Sequence, residues 1–178
     1  MKKNKPRRWH AALHRIRNGQ VLVAEIGVWQ GHFSEMILRK RPNAQIVQVD
    51  RWQEYAPDES AGDPASKIAQ GGQAIFDEAY DMNLARVAPF KDRVEILRMD
   101  SVEAAEKLAN RIFDLIFVDD DHSYHGCLRT IKAWYPKVKK GGYIGGHDYP
   151  RRPGAVKAVH EMFSKVEKDY DNTWWVKI

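Results

Sequence analysis

Residues 21–34 join three local patterns that strongly restrict what this chain can fold into. The mostly apolar run at 21–26 predicts a buried strand, and Gly27 and Gly31 predict a turn directly after it. Apolar residues then recur at helical spacing from position 33 onward. A strand, a glycine turn and a helix in this order form the unit from which open α/β sheets build nucleotide sites.

The spacing within the turn indicates the kind of ligand. A dinucleotide fingerprint is Gly-x-Gly-x-x-Gly, whereas this chain has Glu25-x-Gly27-x-x-x-Gly31, with Trp29 in place of the middle glycine. A bulky side chain there disfavours a pyrophosphate and favours an adenosine that carries a short charged tail. An ordinary tight turn between a strand and a helix is the alternative.

Strands and helices alternate along the rest of the chain, which predicts one parallel, doubly wound sheet of α/β type. The pattern assigns residues 1–19 to a basic N-terminal extension and 20–178 to one domain, in which 53–72 form a polar loop or lid. The predicted strands are 21–26, 44–50, 93–99, 113–118, 143–146 and 173–178, with a weakly defined strand near 166–170; the predicted helices are 32–41, 73–88, a short one capped by Ser101, 124–139 and 154–166.

Size and composition favour a cytoplasmic protein. The 178 residues suffice for one α/β domain, and no apolar run reaches the roughly 18 residues that span a bilayer. The basic N-terminus lacks the apolar core of a signal peptide, and the single cysteine, Cys127, excludes an internal disulfide. We therefore expect no membrane partner.

Positive charge is concentrated at the N-terminus. The net charge is +5, of which residues 1–24 carry +7, so the remainder has a net charge of −2. A nearly neutral body makes a nucleic-acid partner improbable, although the basic segment could be a solvated tail or could touch an anionic partner. Trp9, Leu13 and Ile16 predict a helix that packs on the sheet or on a second subunit of a homodimer, with Pro6 in its first turn and Gly19 ending it.

Polar residues follow the second and third predicted strands. Asp50 lies 19 residues after Gly31, close to the spacing at which a carboxylate meets ribose hydroxyls. Asp100 and Ser101 follow the third strand and could bind an adenine amino group. A helix-capping role is the alternative for these residues.

Carboxylates and histidines also follow the fourth and fifth predicted strands. Three consecutive aspartates, 119–121, precede His122, and His147 precedes Asp148. Because these strands are neighbours in a doubly wound sheet, Asp119, His147 and Asp148 are candidate ligands of Mg²⁺ or another divalent cation. Acids that cap helices and bind water are the alternative.

His122 is the candidate general base. Its free pKa near 6.5 lets it accept a proton near neutral pH, and it lies three residues beyond Asp119. We predict that His122→Ala lowers turnover and leaves cofactor binding intact.

Five segments carry a family resemblance: 113–124, 134–136, 140–149, the 25–34 turn and the terminal Trp174-Trp175-Val176-Lys177. They resemble the small class I methyltransferases of the macrocin O-methyltransferase-like group. The resemblance implies a Rossmann-like sheet of about seven strands whose last strand is antiparallel. It implies S-adenosylmethionine as methyl donor, a small-molecule hydroxyl as acceptor and, in many members, Mg²⁺. The implied cofactor-binding residues are Glu25, Gly27, Val28, Trp29, Gly31, Ser34, Asp50, Arg51, Asp100, Ser101 and Asp119, and the implied catalytic residues are His122 and Asp119.

One departure from the family pattern concerns the metal. His147 stands where metal-dependent relatives have an acid or an amide, which leaves a metal-free enzyme open. A nucleic-acid or protein methyltransferase, a nicotinamide oxidoreductase and a non-catalytic cofactor-binding module are the competing functions. Trp52, Tyr55, Tyr124 and Tyr149 could stack on an acceptor or could be packing residues.

Overall fold

A computed structural model describes residues 7–54 and 72–178 of the chain. Its strands are β1 (Val21–Ile26), β2 (Ala44–Asp50), β3 (Val94–Arg98), β4 (Phe113–Val118), β5 (Val138–Gly146), β6 (Glu167–Asp169) and β7 (Thr173–Lys177). Its helices are α1 (Arg8–Arg15), α2 (His32–Lys40), α3 (Gly72–Val87), α4 (Ser101–Lys107), α5 (Tyr124–Trp134) and α6 (Pro153–Met162). The predicted lid at 53–72 and Tyr55 fall largely or wholly outside the described residues, as does Pro6.

The seven strands form one sheet in the order β3–β2–β1–β4–β5–β7–β6. Strands β1 to β5 pair in parallel, whereas β7 pairs antiparallel with both β5 and β6. The predicted doubly wound sheet with an antiparallel last strand is therefore confirmed. The order of the chain changes direction between β1 and β4, and ligands of such sheets bind at the carboxyl ends of the strands there.

Both faces of the sheet are covered, which explains why its central strands are almost continuously apolar. One buried cluster joins the sheet to α4, α5 and α6 and includes Ile26, Ile116 and Trp134. A second cluster joins the opposite face to α1 and α2 and includes Val23 and Phe117. The alternation of Val23 and Ile26 between the clusters follows from the two-residue period of a strand.

Two predicted helix ends were wrong. Helix α5 ends at Trp134 rather than at 139, because a 3₁₀ turn containing Pro136 follows it, and the chain enters β5 at Val138. The Gly141-Gly142 pair lies inside this strand, next to an irregularity in its pairing with β4, and does not stop a helix. Helix α6 ends at Met162 rather than at 166, because Phe163 is extended.

The predicted N-cap of the short helix was one residue late. Asp100 is the cap of α4, and its side chain accepts the Val102 N–H. Helix α1 ends at Arg15, well before Gly19, because Ile16 already has extended backbone angles.

Helix α1 packs on the sheet of its own chain. Ala11, Ala12 and Ile16 are buried in the second cluster beside Val21 and Trp175. Among the described residues, no helix has both the length and the apolar character needed to cross a bilayer.

Candidate active site

The glycines of the β1–α2 loop are required by the packing of the protein itself. Gly27 and Gly31 have φ angles of 82° and 75°, a region that L side chains rarely adopt. A Cβ on Gly27 would overlap the Asp119 carbonyl, and a Cβ on Gly31 would overlap the Asn83 side chain. Asn83 cannot move aside easily, because its buried amide exchanges hydrogen bonds of 3.0 and 2.9 Å with Gln48. The loop is thus held close to β4 and α3.

Asp50 fixes the conformation of this loop. Its Oδ2 accepts the N–H groups of Val28 and Trp29 at 2.8 and 2.9 Å, and its Oδ1 accepts the Trp52 N–H at 2.8 Å. The Trp52 indole in turn donates to the Trp29 carbonyl at 2.7 Å. Because a carboxylate has about four acceptor positions, Oδ1 retains capacity for one ligand hydroxyl.

Glu25 and Ser34 form a buried pair beneath the loop. The Ser34 hydroxyl donates to the Glu25 carboxyl, and both side chains are almost fully buried. Burial raises the pKa of Glu25 to about 8, an effect that the Ser34 hydrogen bond only partly offsets and that the nearby Asp119 charge reinforces. Glu25 is therefore neutral at neutral pH.

Asp100 and Arg51 line one cavity, whereas the side chain of Ser101 faces the interior. The cavity has a volume of about 610 Å³ and also includes Arg129, whose guanidinium lies 2.9 Å from Asp100 Oδ2. The Ser101 hydroxyl bonds to the Thr130 hydroxyl at 3.0 Å in the core. Of the two predicted adenine contacts, Asp100 is thus the one whose side chain borders open space.

The carboxyl ends of β4 and β5 bring four predicted site residues together. His122 Nε2 lies 2.5 Å from Asp148 Oδ2 and 3.8 Å from Asp119 Oδ1. His147 Nδ1 lies 3.5 Å from both Asp119 Oδ1 and Asp148 Oδ1. We call these four residues the rim cluster. The expected meeting of Asp119 with His147 and Asp148 is confirmed.

Charge compensation within the rim cluster shifts all four pKa values. Burial opposes charging of each group, but the two carboxylates outweigh it and raise the pKa of His122 to about 10 and that of His147 to about 9. The same contacts hold the pKa values of Asp119 and Asp148 below their ordinary range in spite of burial. The rim cluster is therefore a set of ion pairs.

Arg8 is a site residue that the sequence did not reveal. Its guanidinium bonds to Asp119 Oδ2, and its backbone N–H donates to Asp171 at 3.1 Å. The basic N-terminal segment suggested a tail or an anion-binding patch, and no local signal marks one of its arginines as the partner of an acid 111 positions away.

The three consecutive aspartates point to three different places. Asp119 belongs to the rim cluster, and Asp121 accepts the Ser123 N–H at 2.7 Å near the start of α5. Asp120 lies close to Asp50, and burial together with the Asp50 charge raises the pKa of Asp120 to about 6. Their divergence separates the three carboxyl groups, although the Asp121 charge still contributes to the raised pKa of Asp120.

Two of the aromatic residues proposed to stack on an acceptor, Trp52 and Tyr149, are buried and are packing residues. Trp52 is fully buried against Tyr80. Tyr149 is also buried, and its hydroxyl bonds to His160 at 2.7 Å. Tyr124 bonds through its hydroxyl to Glu161 at the surface.

The donor set for a divalent cation differs from the predicted one. Asp119, His122 and Asp148, rather than His147, can place ligand atoms within 4.8 Å of one another. Two carboxylates and an imidazole are suitable ligands by type. However, the Arg8 guanidinium already lies on Asp119, and both histidines lie against the same carboxylates. This arrangement does not fit a resident divalent ion.

Comparisons with known proteins agree with this fold. A family model described as a methyltransferase domain matches residues 24–149. Protein R132 of Acanthamoeba polyphaga mimivirus is 21% identical over 176 residues, covering 90% of this chain and 71% of the viral protein. The solved structure of CalS11, a calicheamicin methyltransferase, is similar with a TM-score of 0.65 at 17% identity, over 95% of this chain and 76% of CalS11. That of the O-methyltransferase NovP has a TM-score of 0.62 at 20% identity, over 90% and 72%.

The seven-stranded sheet, its glycine loop and the acids at its strand ends define a class I methyltransferase that depends on S-adenosylmethionine. The chain belongs to the methyltransferase-domain family whose model spans most of its length. Hydrogen-bond acceptors at the strand ends suit that cofactor by type, because it carries ribose hydroxyls, an amino group on adenine and a methionine ammonium. Asp50, Asp100 and Asp119 supply hydrogen-bond acceptors at the ends of three strands.

Proposed function

We propose that this enzyme transfers a methyl group to a hydroxyl of a small-molecule acceptor bound at the rim cluster. The convergence of Asp119, His122 and Asp148 within 4.8 Å carries the proposal, because it places hydroxyl-binding carboxylates beside a group that can take a proton. The O-methyltransferase NovP shares the fold, which supports the same chemistry for this chain.

We place the cofactor along the carboxyl ends of β1 to β4. In this arrangement the pocket for the methionine part of the cofactor is shaped by Glu25, Gly27, Gly31 and Ser34, and Asp119 faces this pocket. The remaining cofactor contacts are Val28, Trp29, Asp50 and Arg51 near the ribose and, near the adenine, the Asp100 side chain and the backbone of Ser101, whose hydroxyl faces the core. Asp50 supports this placement, since it both fixes the loop and retains an acceptor for one hydroxyl.

The transfer is an in-line displacement on the sulfonium methyl group. The bond between the acceptor oxygen and the methyl carbon forms as the carbon–sulfur bond breaks, which leaves S-adenosylhomocysteine and a methyl ether. The cofactor supplies the electrophilic methyl group, and the protein aligns the acceptor and removes its proton. Alignment alone is worth up to about 7–11 kcal/mol in favourable cases.

His122 is the proton acceptor in this proposal. The two carboxylates hold it protonated in the described arrangement, so it must first lose a proton before it can act as a base. The free nitrogen is then Nδ1, because Nε2 keeps its proton against Asp148 Oδ2, and the acceptor hydroxyl would donate its single proton to Nδ1. Asp148, at 2.5 Å, would keep the imidazole oriented through Nε2.

A polyanionic acceptor fits the described surface poorly. Arg8 and Arg15, two of the seven basic residues of the N-terminal segment, pair with Asp119 and Asp169 of the same chain. Two carboxylates, Asp119 and Asp148, also lie at the rim cluster where the acceptor would bind. A small neutral or cationic molecule that bears a hydroxyl is the acceptor class we propose.

His122→Ala tests the proposal, and His125→Ala is its control because His125 is an exposed neighbour on α5. S-adenosylhomocysteine formation is measured with a panel of phenols, catechols and sugars. For an acceptor that the wild type uses, we expect His122→Ala to lower turnover by about 10²–10⁴-fold, while both variants bind S-adenosylhomocysteine as the wild type does. Full turnover in His122→Ala would contradict the assigned role.

A further inference from the structure

Two arginines clamp α1 to the far edge of the sheet. Arg15, near the end of the helix, bonds to Asp169 at 2.5 Å and to Glu167 at 3.0 Å, and its guanidinium lies 4.7 Å above the Trp175 ring. Arg8, at the first helical residue, is anchored through its backbone N–H to Asp171. Helix α1 therefore has a defined position with its N-terminus directed at the carboxyl edge of the sheet.

This position places a permanent positive charge in the rim cluster. Arg8 bonds to Asp119 Oδ2, while Asp119 Oδ1 faces both histidines. The guanidinium spreads this charge over a planar group with several N–H donors. The positive end of the α1 dipole adds to it. Asp119 is thus compensated on both of its oxygens by groups of the chain itself.

We propose that Arg8 is a positioning residue that occupies the place of a divalent cation at Asp119, so that methyl transfer by this enzyme requires no divalent metal. The proposal deepens the proposed function and rests on it. The guanidinium holds Asp119 in the orientation that an acceptor hydroxyl needs. It also compensates the charge of one carboxylate, while Asp148 is the nearer of the two carboxylates that orient His122.

The charge of the guanidinium opposes a divalent ion at this place. A divalent ion bound by Asp119, His122 and Asp148 would lie beside the guanidinium, and the two like charges would repel strongly in this half-buried site. If Arg8 is removed, Asp119 loses the partner of Oδ2 and becomes available to a cation. Arg15 and the buried residues Ala11, Ala12 and Ile16 still hold α1 in place.

The test compares Mn²⁺ binding by the wild type, Arg8→Ala, Arg8→Lys and Arg17→Ala, each saturated with S-adenosylhomocysteine, by isothermal titration calorimetry. Arg17 lies just beyond α1 and is exposed, so its variant removes the same charge from the same segment without touching Asp119. We expect Arg8→Ala to bind Mn²⁺ at least about tenfold more tightly than the wild type, a difference of about 1.4 kcal/mol. Arg8→Lys and Arg17→Ala should resemble the wild type.

The double variant Arg8→Ala/Asp119→Asn locates the effect, because it should lose the Mn²⁺ affinity that Arg8→Ala gains. Equal Mn²⁺ affinity in the wild type and Arg8→Ala would overturn the proposal, and so would a gain that survives Asp119→Asn. A chelator should leave wild-type turnover unchanged. The Mn²⁺ titration needs no acceptor, so its result remains valid even if the acceptor is not a hydroxyl. Turnover with the acceptor panel tests the separate claim that the acceptor is a hydroxyl.

Discussion

The buried carboxyl of Glu25 makes the stability of this protein depend on pH in a direction opposite to that of most acids. Its pKa rises from 4.5 to about 8 on folding, because burial disfavours the carboxylate and Ser34 offers only partial compensation. An acid whose pKa is raised by folding contributes fully to the free energy of unfolding below its unfolded pKa. That contribution is lost as the pH rises through the folded pKa. The free energy of unfolding should therefore fall from about pH 4.5 to about pH 8 on account of this residue.

The size of the effect follows from the shift. Each pH unit between the two pKa values costs about 1.4 kcal/mol, so the full window corresponds to about 5 kcal/mol, an order-of-magnitude figure. Glu25→Gln keeps a carbonyl oxygen that can accept from Ser34 but cannot ionise. The stability of Glu25→Gln relative to the wild type should consequently rise with pH and level off above about pH 8.

Urea unfolding followed by tryptophan fluorescence at several pH values measures this difference. Glu35→Gln is the matched control, because Arg86 and Arg39 lower the pKa of Glu35 and keep it ionised in the folded protein over the whole window. Its difference from the wild type should stay constant above about pH 5.5, where Glu35 is ionised in both the folded and the unfolded protein. A constant difference for Glu25→Gln as well would show that Glu25 is ionised in the folded protein, and the reasoning would be refuted.

Two further changes test the β1–α2 loop. Gly31→Val should abolish S-adenosylhomocysteine binding in a calorimetric titration, because a side chain there adopts a strained φ and collides with Asn83. Gly19→Val is the control and should bind normally, because Gly19 also has a positive φ but open space around it. Binding by Gly31→Val would disprove the role of the loop. Asp50→Ala should lower the free energy of unfolding by about 2–4 kcal/mol and weaken S-adenosylhomocysteine binding, since the Val28, Trp29 and Trp52 N–H groups lose a charged acceptor; an unchanged urea midpoint would contradict this.

Local pattern was enough to predict most of the fold. The apolar runs of β1 and β4 have no competing interpretation, since burial on both faces of a parallel sheet demands them. The start of β5 was wrong, because Val138-Lys139-Lys140 continues the helical spacing of α5 and Gly141-Gly142 imitates a helix stop. The pairing with β4, a long-range interaction, overrides those local signals.

The candidate site was likewise predictable from the sequence only in part. Residues at strand ends could be placed near one another from topology alone, which is why Asp119, His147 and Asp148 were expected together. Topology does not say which way a side chain points, and so it could not separate Asp100, which borders a cavity, from Ser101, which faces the core. Arg8 contacts the rim cluster because α1 packs on the sheet, which the apolar spacing of α1 left as one of two possibilities, and no local pattern indicates which basic residue reaches Asp119.

The cofactor class is the central claim, and a calorimetric titration of the wild-type protein with S-adenosylhomocysteine and with NAD tests it most directly. The site has carboxylate acceptors at Asp50, Asp100 and Asp119 and the bulky Trp29 where a pyrophosphate would need a glycine. We predict saturable binding of S-adenosylhomocysteine at one site per chain, lost in Gly31→Val, and no binding of NAD. Binding of NAD without binding of S-adenosylhomocysteine would contradict the account.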